Sequence, residues 1–129
     1  MELKRLGLKG TYKVKFYDEY FEAYDERDNL VYFKSSDGFW STREYDERDN
    51  IIYYEDSSGM WSKSEYNERG NITYYENSDG FWSRRAYDEE DNTIYYEDSE
   101  GEFVDNRIKE LTVREIEKLL GYKIKIKGE

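Results

Sequence analysis

The segment Asn50–Asp56 reads NIIYYED, a run of β-branched and aromatic residues closed on both sides by polar turn formers. After the tetrad DSSG the chain returns as MWSKSEY, Met60–Tyr66. Strand periodicity puts Ile51, Tyr53 and Glu55 on one face and Ile52, Tyr54 and Asp56 on the other. On the returning strand Trp61 and Lys63 oppose Met60, Ser62 and Ser64. Both faces carry aromatics and charge, and neither reads as the apolar inner face of a sandwich. A single, strongly twisted layer, partly open to water, is expected.

The unit recurs. Tyr24, Tyr45, Tyr66 and Tyr87 open four versions of one phrase at a spacing of 21 residues, without insertion. Gly59 ends its turn where a positive φ is required. A second slot, held by Asp28, Asp49, Gly70 and Asp91, takes only residues that tolerate a left-handed backbone. The expected fold is mainly β: four 21-residue β-hairpin repeats forming an antiparallel meander or hairpin solenoid.

The ends differ from the repeats, as caps of an array do. Residues 1–23 contain KGTYKVKFY, an opening strand whose lysines discourage further pairing. Residues 24–107 are the repeats, and residues 108–129 form a helix-strand cap within the same single domain. There Thr112 with Glu115 makes a capping box, and Val113, Ile116, Leu119 and Leu120 form an apolar stripe. Gly121 stops the helix, and YKIKIK alternates as a final strand. This helix and strand are expected to cover one end or face of the sheet.

Composition sharpens the picture. Leu, Ile, Val and Phe supply only 25 of 129 residues, and the net charge is −11. Such values by themselves suggest disorder, but 15 Tyr and 3 Trp in strict repetition indicate an ordered array with a thin core. Its stability comes from repeats stacking on their neighbours. Residues 17–106 carry 26 acidic and 8 basic side chains, whereas residues 1–16 and 107–129 are net positive. The chain has no Cys and no His, which removes disulfides, thiolate metal sites and the commonest catalytic bases. The first residues contain no apolar run long enough for a signal peptide, and no stretch would span a membrane. A cytoplasmic location is expected.

Catalysis is not expected, because every carboxylate recurs with the period of the fold and no pair stands out. Turns such as DERDN offer hard oxygen ligands, but their spacing fits no Ca²⁺ loop and their residue types already suit the turns themselves. No metal or cofactor is implied. Trp40, Trp61 and Trp82 should lie in register along the sheet, as cross-strand packing or as a row that holds sugars, choline or bases.

Acidity is the feature that folding does not demand. Four two-stranded units span about 40 Å. The charge of −18 on residues 17–106 then amounts to about one per 2 Å, close to the one per about 1.7 Å of duplex DNA. Direct nucleic-acid binding is disfavoured by the same charge.

The pattern Tyr-Asp-x-x-Gly/Asp-Asn-aliphatic, at Tyr24–Leu30, Tyr45–Ile51, Tyr66–Ile72 and Tyr87–Thr93, resembles the YD repeats of Rhs-type and teneurin proteins. That resemblance implies β-hairpin shells, although four copies are too few to enclose a cargo. TYYENSDG, Thr73–Gly80, resembles the choline-binding repeats of cell-wall proteins, which hold choline between aromatics of successive hairpins. The whole chain resembles small phage and mobile-element proteins of Gram-positive bacteria.

The expected function is therefore a non-enzymatic, acidic protein-binding module. It would be a phage counter-defence inhibitor, anti-CRISPR-like, that occupies the basic nucleic-acid-binding surface of a host nuclease or CRISPR effector. The residues expected to meet that partner are Asp25, Glu26, Asp28, Asp46, Glu47, Asp49, Glu55, Asp56, Glu68, Glu76, Asp79, Asp88, Glu89, Asp91, Glu97 and Asp98. Trp40, Trp61, Trp82, Tyr54 and Tyr75 are the aromatic anchors. A cell-wall, glycan or choline-binding module using those aromatics, and a structural assembly protein, are the alternatives.

Overall fold

The computed structural model describes residues 10–107 and 110–121. Ten strands form one open antiparallel sheet in strict chain order, so the array is a meander. The strands are β1 (Lys13–Phe16), β2 (Tyr20–Tyr24), β3 (Leu30–Ser35), β4 (Trp40–Tyr45), β5 (Ile51–Asp56), β6 (Trp61–Tyr66), β7 (Ile72–Asn77), β8 (Trp82–Tyr87), β9 (Thr93–Asp98) and β10 (Phe103–Asp105). From β3 onward each pair repeats the one before at the period of the sequence.

Turn chemistry sets this register. Asp28, Asp49 and Asp91 have φ of 65°, 66° and 66°, and Gly70 in the same slot has 83°. Gly59 and its equivalents also take positive φ. Both left-handed positions expected from the sequence are therefore present.

The alternation of faces is interrupted once per repeat. Glu44 faces Tyr53 while Tyr45 faces Ile51, so Ile52 is an extra residue on β5. The same shift occurs at Tyr24, Tyr66 and Tyr87. A bulge of this kind bends its strand and ends strict period-2 order. The two-face assignment accordingly holds from Tyr53 onward, but not through Ile51 and Ile52. Across each bulge the tyrosine of the phrase reaches back one strand. The Tyr45, Tyr66 and Tyr87 hydroxyls donate to the Leu30, Ile51 and Ile72 carbonyls at 2.6, 2.8 and 2.6 Å.

The apolar core sits at the N-terminal end. Ala23, Val31 and Tyr32 are buried, with Tyr12, Val14, Phe21, Trp40 and Tyr45 packed on them. Beyond β4 the buried residues among those described are polar: Asp56, Ser83 and Asp98.

Helix α1 (Val113–Leu120) has the expected capping box, with Glu115 N–H donating to the Thr112 hydroxyl at 3.1 Å, and ends at Gly121 with φ of 77°. It buries no residue: Val113, Leu119 and Leu120 are exposed. The expected burial of its apolar stripe is thus not found among the described residues. Phe103 and Val104 on β10, the strand before the helix, are likewise exposed. The final strand expected at YKIKIK lies outside the described residues.

Candidate functional site

Two rims and two faces hold the chemistry. At one rim the YDERDN turns close on themselves. Asp46 accepts from the Arg48 and Asn50 amides at 2.9 and 3.0 Å, and Asp25 and Asp88 repeat the motif. The Asn50 amide bond lowers the Asp46 pKa most, ahead of the opposing effect of burial. Burial acts first on Asp25 and raises its pKa, but the Asn29 and Arg27 amides outweigh it and leave it lowered.

Arginines then tie each turn to the next. Arg27 donates to the Glu47 carbonyl and pairs with Asp49 at 2.9 Å; Arg69 donates to the Glu89 carbonyl and pairs with Asp91 at 3.1 Å. Lys13 plays this part for Asp28, at 2.7 Å. Between them, Arg48 reaches only the Glu68 carbonyl, since Gly70 has no carboxylate to offer. The fourth repeat, with no further turn to hold, carries Glu90 in the arginine slot. These exposed pairs are individually weak, but a cation from the preceding unit reaches each of the four turns.

At the other rim the tetrad turns dock on the preceding tryptophan. Ser57 N–H donates to the Trp40 carbonyl at 2.9 Å, and Trp40 N–H donates to the Ser57 hydroxyl at 3.1 Å. Ser78 with Trp61, and Ser99 with Trp82, repeat the exchange. Asp56 anchors its turn by accepting from Ser58 N–H and the Tyr54 hydroxyl, both at 2.9 Å. The Ser58 hydroxyl bond is the largest contribution holding the Asp56 pKa low. Sequence reasoning missed this serine rung. Ser36, Ser57, Ser78 and Ser99 are identical in all four copies, but serine in a turn reads as local turn chemistry and discloses no partner on the neighbouring strand.

Cross-strand register assigns the faces. Glu55 pairs with Trp61 and Tyr53 with Lys63, whereas Tyr54 pairs with Ser62. Trp40, Trp61 and Trp82 therefore share one face with Glu55, Glu76 and Glu97, and Tyr54 and Tyr75 stand on the opposite one. The five expected aromatic anchors do not form one cradle. Lys63 lies over Trp61 at 5.3 Å and Arg84 over Trp82 at 5.1 Å, so these two tryptophans serve as platforms for the protein's own cations.

The expected acidic residues divide in the same way. Asp25, Asp46 and Asp88 are engaged in turns, Asp28, Asp49 and Asp91 in ion pairs, and Asp56 and Asp98 are buried. Glu55, Glu76 and Glu97 are half-buried beside tyrosines, and Asp79 is exposed at the tetrad rim. Glu26, Glu47, Glu68 and Glu89 remain. All four are exposed at the same rim, and no hydrogen bond or ion pair engages their carboxylates among the described residues.

Six positions are identical in all four repeats: those of Tyr45, Glu47, Asn50, Tyr53, Ser57 and Gly59. Tyrosine 45 bonds across the bulge, Asn50 closes a turn, Tyr53 packs within the sheet, Ser57 forms the rung and Gly59 supplies positive φ. Among the described residues only the glutamate has a side chain without a structural task. Among the described residues no three acidic side chains gather as a cation site would require. No helix there is long and apolar enough to cross a membrane, which leaves strands out of account.

Against known proteins, the chain matches no family model and no curated protein. The likeness to YD repeats rests on the four phrases themselves.

Proposed function

We propose that this chain is a non-enzymatic, acidic protein-binding module that occupies the basic nucleic-acid-binding surface of a partner such as a host nuclease or CRISPR effector. It would act in the cytoplasm, as a phage-encoded counter-defence inhibitor. The observation that carries the reading is the row of Glu26, Glu47, Glu68 and Glu89. The neighbouring slots have drifted, Arg27 to Glu90 and Asp49 to Gly70, while this exposed carboxylate has not. Successive glutamates lie two strands apart, or about 10 Å. Such a rail meets a groove built for a regular phosphate backbone, where matching charge steers association and sets specificity.

The test is charge reversal of the rail, Glu→Lys at positions 26, 47, 68 and 89 together, against a panel of purified basic nucleases and CRISPR effectors. At least one panel member should bind the native chain at low salt, lose it to added DNA or RNA, and ignore the reversed variant. Equal binding by a folded reversed variant would rule out electrostatic mimicry.

A further inference from the structure

One arrangement recurs on the tyrosine face at Tyr54 and Tyr96 but not at Tyr75, while repeat one carries Phe33 there, opposite Glu22. Arg43 pairs in register with Tyr54, and its guanidinium lies over that ring at 5.1 Å. Arg85 pairs with Tyr96 in the same way, at 5.0 Å. The equivalent partner of Tyr75 is Ser64, and among the described residues no cation stands over Tyr75. A second substitution accompanies the first. Asp56 and Asp98, two residues beyond the stacked tyrosines, become Asn77 in this central copy.

These changes open the surface. Where the arginine is present, the serine and aspartate beneath are covered: Ser41 and Asp56 are 2% and 6% exposed, and Ser83 and Asp98 are 4% and 6%. Arg43 also donates to the Ser41 hydroxyl at 3.3 Å. In the central copy Ser62 and Asn77 are only half-buried, and a notch of about 120 Å³ lies there, its lining including Tyr54, Trp61, Ser62, Tyr75, Asn77 and Asp79. Arginine and aspartate are lost together, so the fold keeps its charge balance while gaining a neutral floor between two tyrosines.

We propose that this central notch is a guanidinium site that receives an arginine side chain of the protein partner. The molecule displays the occupant itself: its two sister positions hold a guanidinium over a tyrosine, donated by its own chain. Arginine suits the place better than lysine because its planar group stacks on aromatic rings and is less strongly hydrated. Asp79 at the mouth provides the countercharge. The inference rests on the acidic-module reading for the identity of the partner, but the site stands on its own geometry.

N-acetyl-arginine amide, titrated at physiological salt with amide and tyrosine-ring resonances recorded by NMR, is the direct probe. Saturable shifts should centre on Ser62, Ser64, Tyr75 and Asn77. Ser64→Arg should fold, since positions 43 and 85 already accept arginine, and should weaken binding about fivefold by filling the notch from within. N-acetyl-lysine amide and tetramethylammonium should bind more weakly. Equal response to all three cations, undiminished binding by folded Ser64→Arg, or shifts confined to the glutamate rim would each overturn the assignment. The two proposals fail separately. If Ser64→Arg still binds a basic partner that the reversed rail has lost, the notch is not the anchor and mimicry survives. If arginine amide shifts the notch while no basic partner is found, the site survives without the mimicry.

Discussion

Tyr32 and Tyr74 occupy the same place in repeats one and three, yet Tyr32 is 2% exposed whereas Tyr74 is half-buried. The difference comes from their neighbours. Tyr32 lies between Ala23 and Thr42, small residues over which Phe21 and Trp40 can close. Tyr74 lies between Glu65 and Arg84, whose heads stay in water. The N-terminal end is thus held by ordinary apolar burial, with a run of ring contacts from Phe16 through Phe21 to Tyr32 at 5.8 and 5.6 Å. The central repeats are held by rungs of hydrogen bonds and arginine contacts between adjacent units. One sequence phrase therefore supports two kinds of stability, and the array behaves as a small core extended by nearest-neighbour coupling.

Truncating the shared tyrosine separates the two regions most strongly. Tyr32→Ala should cost about 3–5 kcal/mol, as for other large buried aromatics, whereas Tyr74→Ala should cost about 1 kcal/mol; equal losses in urea unfolding would erase the contrast. Backbone strain comes next. Asp49→Val places a β-branched residue at a φ of 66° and should cost about 1–3 kcal/mol. Asp49→Gly should be tolerated, as Gly70 is.

Removing one central rung, Tyr66→Phe, should cost about 1 kcal/mol and speed hydrogen exchange at β5 and β6 more than at β2 and β3. Uniform acceleration would mean that the sheet unfolds as one unit. Acid should find the same division. The Asp25, Asp37, Asp46, Asp56, Asp88 and Asp98 carboxyls titrate below the ordinary value of 3.8 in the fold. The stability they contribute is complete above that value and is lost as pH falls through their lowered pKa values. Hydrogen exchange below about pH 4 should therefore rise first beside the turns at Asp56, Asp88 and Asp98, where no apolar cluster backs the carboxylate as Ala23 and Val31 do near Asp25. Smallest of all, Gly70→Asp restores an acid opposite Arg48 and should raise stability by less than about 1 kcal/mol, read as a slight shift in urea midpoint.

Much of the architecture was legible from residues. The period of 21, the strand boundaries and the left-handed slots at Asp28, Asp49, Gly70 and Asp91 follow from local chemistry, because turn residues state their own backbone needs. The bulge at Ile52 was not legible, since two isoleucines in a row satisfy either alternation. Nor was the separation of Trp61 from Tyr54 apparent, because facing depends on register across strands. The repeated acids looked equivalent in sequence; only their partners distinguish Asp46, engaged by its own turn, from Glu47, which faces water.

By itself the sequence determined that the chain is a hairpin array, where it turns, how acidic it is and which positions its copies never change. Those are properties of residues and their near neighbours. The tertiary structure alone decided which carboxylates remain available, which tyrosine lies without a stacked arginine and where apolar burial ends. Each of these depends on residues brought together from 11 to 20 positions apart in the chain, and in a one-layer sheet that pairing decides what solvent and a partner can reach.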